Sequence, residues 1–199
     1  MDNINKQLIE NIKLNNIDEV ITLLDQGANV NYEPDIIDAD IGTPLYIAVT
    51  MNHYQIAKIL LNRGADINYG RGYLLYRACS NGNGGMIELL LNEGINYNKE
   101  HLGSLIGFCI HNDNVNDLKL LIQHDIINVI DEQYYDIFWQ KKSAWKTCIE
   151  NKAKNILEFI IENYPEIIQY DNIHIREEDI NKYNFIKMLI NRNLIDIAD

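Results

Sequence analysis

Two landmarks recur in this chain at one offset. Ala48 and Gly64 reappear as Ala78 and Gly94, each 30 residues further on. The apolar stripe Ile56, Ile59, Leu60 and Leu61 reappears between them as Met86, Leu89, Leu90 and Leu91. Independent landmarks that share an offset mean a repeated supersecondary unit, which buries its apolar face only by stacking on its neighbours. The next step is 31 residues: Gly103 answers Gly72, Cys109 answers Ala78, and Leu120, Leu121 and Ile122 supply the stripe, with Asp125 in the glycine position. A longer step of 39 carries Cys109 to Cys148, followed by Ile156, Phe159, Ile160 and Ile161. Towards the N-terminus, Leu23 and Leu24 lead into Gly27-Ala28-Asn29-Val30-Asn31, a copy of the segment that ends Gly64-Ala65-Asp66-Ile67-Asn68.

The clearest copy spans residues 43–68 and reads TPLYIAVTMNHYQIAKILLNRGADIN. Thr43 is a good N-cap, and Pro44 falls in the first helical turn, where its missing N–H costs nothing. Leu45 and Ala48 lie on one face of a short first helix. The Ile56 to Leu61 stripe marks a second helix, and Gly64 stands where a left-handed residue ends it. The pattern TPLYxA followed by a second helix and LLNRGADIN closely resembles the ankyrin repeat, with Tyr46 in place of the family's histidine and Asn52 in place of its turn glycine. The resemblance covers nearly the whole chain and implies an all-α ankyrin-repeat solenoid of stacked antiparallel helix pairs with short hairpin loops, about five to six repeats. The abundance of Asn and Ile is similar to that of the short-finger type found in giant DNA viruses and other AT-rich genomes.

The expected organisation is one repeat domain over residues 1–199. Its repeats fall near 1–31, 40–69, 70–99, 101–130, 140–169 and 171–199, the first and last being caps, with the first inner helix near residues 7–13. Steps of 30 and 31 are shorter than the family's repeat of about 33 residues. The loss falls between Asn68 and Leu75, where Gly70 and Gly72 permit a tight turn, so stubby fingers with little strand are expected. Insertions stand at 32–39 and 126–141, the second carrying Tyr134, Tyr135, Phe138 and Trp139.

Composition excludes several functions. The 199 residues carry 29 acids against 17 Lys and Arg, a net charge of −12, and a calculated pI near 4.8. Binding nucleic acid or anionic lipid relies on cations at phosphate, so neither is an expected partner. No leader pattern opens the sequence and no apolar run is long enough to span a bilayer. Three widely spaced cysteines fit a reducing compartment. The expectation is an intracellular, cytoplasmic protein, in the host cytoplasm if viral, and a monomer.

Chemistry-bearing motifs dissolve into the repeat. Cys109-Ile110-His111 has the residue types of a metal site, yet Cys109 and Cys148 share the phase of Ala48 and Ala78, where a small apolar side chain packs. Cys79 follows one position later and pairs with no ligand at zinc spacing. His53 matches the family's turn histidine, which implies a hydrogen bond to loop backbone; His101, His124 and His174 have no partner in the sequence. The stretch 82–85 (GNGG) lies between helices and lacks the context of a phosphate cradle. Glu177, Glu178 and Asp179 read as a solvated helix face. No catalytic residue, cofactor or metal site is expected.

Surface positions remain. By resemblance, partners touch the finger tips and the exposed ends of the inner helices, here Thr50, Met51, Ser80, Asn81, His111, Asn112, Glu150 and Asn151. Tyr134, Tyr135 and Trp139 join them as interface-type aromatics, although packing over adjacent repeats is the favoured reading of that cluster. The expected function is non-enzymatic binding of a protein partner through the concave groove and loops. One alternative is a structural or self-associating protein whose residues 183–199 present Phe185, Met188 and Leu189 to another copy. The other is an enzyme that uses 126–141 as an active-site loop. The resemblance also makes Asn31 and Asn68 candidates for hydroxylation.

Overall fold

A computed structural model describes residues 2–34, 42–69, 73–97, 102–126, 134–135, 141–142 and 144–164. The chain divides into two compact units, residues 1–101 and 102–199. In the first, three helix pairs follow one another: α1 (Asp2–Lys13) and α2 (Ile17–Asp25), α3 (Pro44–Thr50) and α4 (Tyr54–Asn62), α5 (Tyr73–Ser80) and α6 (Gly84–Asn92). Each first helix packs on the first helix of the next pair and each second helix on the next second helix, which makes two layers of helices. The second unit repeats the plan with α7 (Leu102–His111) and α8 (Val115–Gln123), then α9 (Ala144–Asn151) and α10 (Lys154–Asn163). Fold class is therefore as expected: all-α, built of stacked antiparallel helix pairs.

Local chemistry explains each pair. Thr43 Oγ1 accepts a 3.3 Å hydrogen bond from the Tyr46 N–H, and Pro44 occupies the first turn of α3. The turn inside every pair holds one left-handed residue: Asn15, Asn52, Gly82, Asp113 and Lys152, with φ from 48° to 63°. A second left-handed residue follows the outer helix at Gly27, Gly64, Gly94 and Asp125. Asp125, at φ 54°, keeps the glycine conformation without the glycine, as aspartate tolerates better than most residues. In the 82–85 stretch only Gly82 is left-handed; Asn83 caps α6 by accepting from the Met86 N–H at 3.2 Å, and Gly84 and Gly85 form the first helical turn. The first helix begins at Asp2, five residues before the apolar signal near Gln7, and Asn5 on that added turn is buried.

The core lies between the layers. Ile12, Leu45, Ala48, Ile56, Leu60, Leu74, Leu75, Ala78, Met86 and Leu90 are fully or almost fully buried in the first unit, as are Leu105, Cys109, Leu121, Cys148, Ile156 and Ile160 in the second. Ile59 and Leu61 are half-buried flanks, while Ala57 is buried with Ile56 and Leu60. At Ala48, Ala78, Cys109 and Cys148 the small side chains are at most 1% exposed, the position where a larger group would force the first helices apart.

Side-chain amides tie down the segments that follow the second helices, once within the first pair and then from pair to pair. Asn5 Oδ1 accepts from the Asn29 N–H at 2.8 Å; Asn31 accepts from the Asp66 N–H at 2.7 Å and donates to the Gly64 carbonyl at 3.2 Å; Asn68 accepts from the Asn96 N–H at 2.7 Å. Around these ladders the described loop residues 30–31 and 67–69 are turns, without strand. The one strand pairing among the described residues lies in the 126–141 insertion and just after it. There β1 (Tyr134–Tyr135) runs antiparallel to β2 (Lys141–Lys142), and β1 lies against α7. Phe138 and Trp139, Gly70 and Gly72, and the whole expected cap at 171–199 lie outside the described residues.

Candidate protein-binding surface

The expected contact positions fall at the C-terminal ends of the first helices. Thr50 ends α3 and Met51 follows it, 46% exposed. Ser80 ends α5, and Asn81 reaches back to the preceding pair, its Nδ2 donating to the carbonyls of Thr50 at 3.0 Å and Val49 at 3.3 Å. These four residues therefore form one neighbourhood, held by Asn81 capping the end of a helix not its own. Ser80 Oγ donates to the Arg77 carbonyl at 2.9 Å, and Thr50 Oγ1 is buried without a hydrogen-bond partner. In the second unit His111 ends α7 and is exposed, as is Asn112; Asn151 ends α9 and donates to the Thr147 carbonyl at 3.0 Å. Glu150 lies in the last turn of α9, and Tyr134 and Tyr135 form β1.

A second cluster sits at the opposite ends of α3 and α5. The rings of Tyr46 and Tyr73 stack with centroids 6.1 Å apart, and Tyr73 stacks on Tyr76 at 5.3 Å. The Arg77 guanidinium carbon lies 5.8 Å from the Tyr46 ring centre and 5.3 Å from that of Tyr73, and its Nε–H donates to the Tyr46 hydroxyl at 3.2 Å. Burial opposes the charge, yet the Tyr46 hydrogen bond and the surrounding tyrosines outweigh it, so Arg77 holds its proton more firmly than a free arginine. Gly42 makes room: a Cβ there would stand 2.4 Å from Tyr46 Cδ1. Tyr73 is 40% exposed. In the sequence, Tyr46 stands only as a substituted scaffold residue. The missed signal was Tyr76, 30 residues after Tyr46 and followed by arginine.

A few other titratable groups point inward. His53 departs from expectation: it makes no side-chain bond at the start of α4, and its Nε2 is buried without a partner. Asp117 is 2% exposed with Oδ1 unpartnered, and burial raises its carboxyl to about 6 against the lowering effect of a hydrogen bond from Asn114. Burial also pushes the Cys109 and Cys148 thiols far up, which makes them poor nucleophiles near neutral pH. Among the described residues no three His, Cys, Asp or Glu side chains come together as metal ligands would.

With paired helices, a doubled left-handed turn per unit and a two-layer stack in place, comparison with known families is decisive. The family description "Ankyrin repeats (3 copies)" matches residues 7–71, the stretch from the second half of α1 through α4. Residues 7–71 carry ankyrin repeats. An ankyrin repeat protein of fowlpox virus is 31% identical over 137 residues, covering 65% of this chain and 40% of the relative. One of Acanthamoeba polyphaga mimivirus is 34% identical over 103 residues, 47% of this chain and 62% of the relative. A second fowlpox ankyrin repeat protein is 30% identical over 176 residues, 85% of this chain and 40% of the relative. The chain thus spans between two fifths and about three fifths of these relatives' lengths. Ankyrin repeats generally mediate protein–protein interaction and are typically non-enzymatic. No described helix is long and apolar enough to cross a membrane.

Proposed function

We propose that this chain is a binding module for a protein partner, which it holds through the ends of its first helices and the adjoining loops and does not modify. The observation that carries the reading is the contrast between phases of the repeat. Ala48, Ala78, Cys109 and Cys148 stay small and buried, while the helix ends change from Thr50-Met51 to Ser80-Asn81 to His111-Asn112. A scaffold that repeats and a surface that does not is the arrangement of a binding protein. The acidic balance supports a protein over a nucleic acid or a membrane, and three buried cysteines, none of them in a disulfide, suit a reducing compartment. Met51, apolar and exposed in a polar setting, is a natural contact.

The test is retention of a partner from source or host cells by immobilised protein, comparing the wild type with Met51→Arg and Asn112→Arg. Each arginine is expected to reduce capture at least about tenfold, as a charge inserted into an interface does. Undiminished capture by both variants would remove the helix ends from the contact surface.

A further inference from the structure

We infer that the Tyr46, Tyr73, Tyr76 and Arg77 cluster is a receptor for one carboxylate side chain, an aspartate or glutamate presented by the protein partner. The inference rests on the protein-binding reading and gives it a chemistry. Arg77 is fixed from two directions, by its Nε–H bond to the Tyr46 hydroxyl and by the rings of Tyr46 and Tyr73 beneath it. None of the hydrogen bonds or ion pairs among the described residues uses its two Nη groups. Arg63 is different, being held by Asp25 at 2.7 Å. A guanidinium that is oriented and that no described residue neutralises, in a chain of net charge −12, is an exception to the local electrostatics and a point of complementarity for an anion.

The geometry selects the anion. With Nε engaged, the Nη donors form the remaining edge, and such an edge matches a carboxylate with two parallel N–H···O bonds. A phosphate dianion is best held by several cations or by a helix terminus in addition. Here the charge stands alone among the cluster's residues, so one negative charge is the better match. Tyr73, part-exposed and with its ring centre 5.3 Å from the guanidinium carbon, offers an apolar wall for the methylenes of the incoming side chain. Because the arginine is already ordered by its rings, less side-chain entropy is lost on binding than for a solvated lysine or arginine.

Blocked pentapeptides Ala-Ala-X-Ala-Ala, with X glutamate, glutamine or phosphoserine, test this directly, read by the NMR shift of the Arg77 side-chain Nε–H. The glutamate peptide is expected to shift that resonance saturably, with an apparent affinity roughly fivefold or more above the glutamine peptide, and to lose affinity as salt rises. Affinity measured through the backbone amides of α5 should fall to the glutamine-peptide level in Arg77→Gln. It should fall partly in Tyr73→Leu, which keeps the charge and the apolar volume; circular dichroism confirms that both variants fold. Equal binding of glutamate and glutamine peptides overturns the site, as does unchanged binding by Arg77→Gln, and either leaves capture at the helix ends standing on its own test. Tighter binding of the phosphoserine peptide also overturns it, in favour of a phosphate receptor.

Discussion

Asp117 shows what a single buried charge does to a repeat. Its carboxyl, raised to about 6 by burial, titrates near 3.8 in an unfolded chain. The folded form therefore binds the proton more tightly. Above about pH 6 the native charge is a liability, and the liability is relieved as pH falls through 6 towards 4. Asp117→Asn keeps the shape and removes the charge. It is expected to raise stability at pH 7.5 by about 3 kcal/mol, since about two units separate the two states at roughly 1.4 kcal/mol each, and to gain almost nothing at pH 4. Urea unfolding at both pH values measures this, and an equal effect at the two would show that the carboxylate is satisfied. At this scale the legible residues were those whose role is local: Thr43, Pro44 and Gly64 follow from backbone rules alone. Arg77 was not legible because its partner Tyr46 lies 31 positions away. His53 was misread because the hydrogen bond implied for it depends on loop atoms that other residues of the family must place.

Between elements, the informative contact is made by Asp113. Helix α10 starts after Ala153, which has no side chain able to cap it. Asp113, in the turn of the preceding pair, accepts instead from the Asn155 N–H at 3.2 Å, the Asn155 amide at 2.8 Å and the Ile156 N–H at 3.0 Å. One repeat therefore caps the next, with a negative charge at the positive end of its helix. Asp113→Ala should lower the stability of the second unit by about 1–2 kcal/mol, the usual value of a lost cap, and adding Ala153→Ser should restore part of it. Denaturant titration followed by the helical signal decides; a loss below about 0.3 kcal/mol would mean that water replaces the cap. Sequence reasoning placed the pairs because stripe and turn are periodic. It could not see this bond, since a residue that caps a helix in the next repeat looks the same as any other turn aspartate. The β1–β2 pairing was equally hidden: the stretch from Tyr134 to Lys142 shows no alternation long enough to announce a strand.

For the molecule as a whole, repetition means that stability is assembled from each pair and its nearest neighbours. The three cysteines happen to sample that assembly. Cys79 lies on α5, Cys109 on α7 and Cys148 on α9, three consecutive first helices; none is in a disulfide and each is at most 1% exposed. A disulfide reagent can reach each thiol only when its own helix pair opens. The chain thus carries a reporter in each of three repeats, and the labelling rates, followed by mass spectrometry in native buffer, record how often each one breathes. Protection of all three is expected to last far longer than in urea. If Cys109 and Cys148 are modified at one common rate, their two repeats open together; if at separate rates, the unit loosens pair by pair. The small residue that lets neighbouring helices touch becomes, in that experiment, a clock for how long they stay in contact.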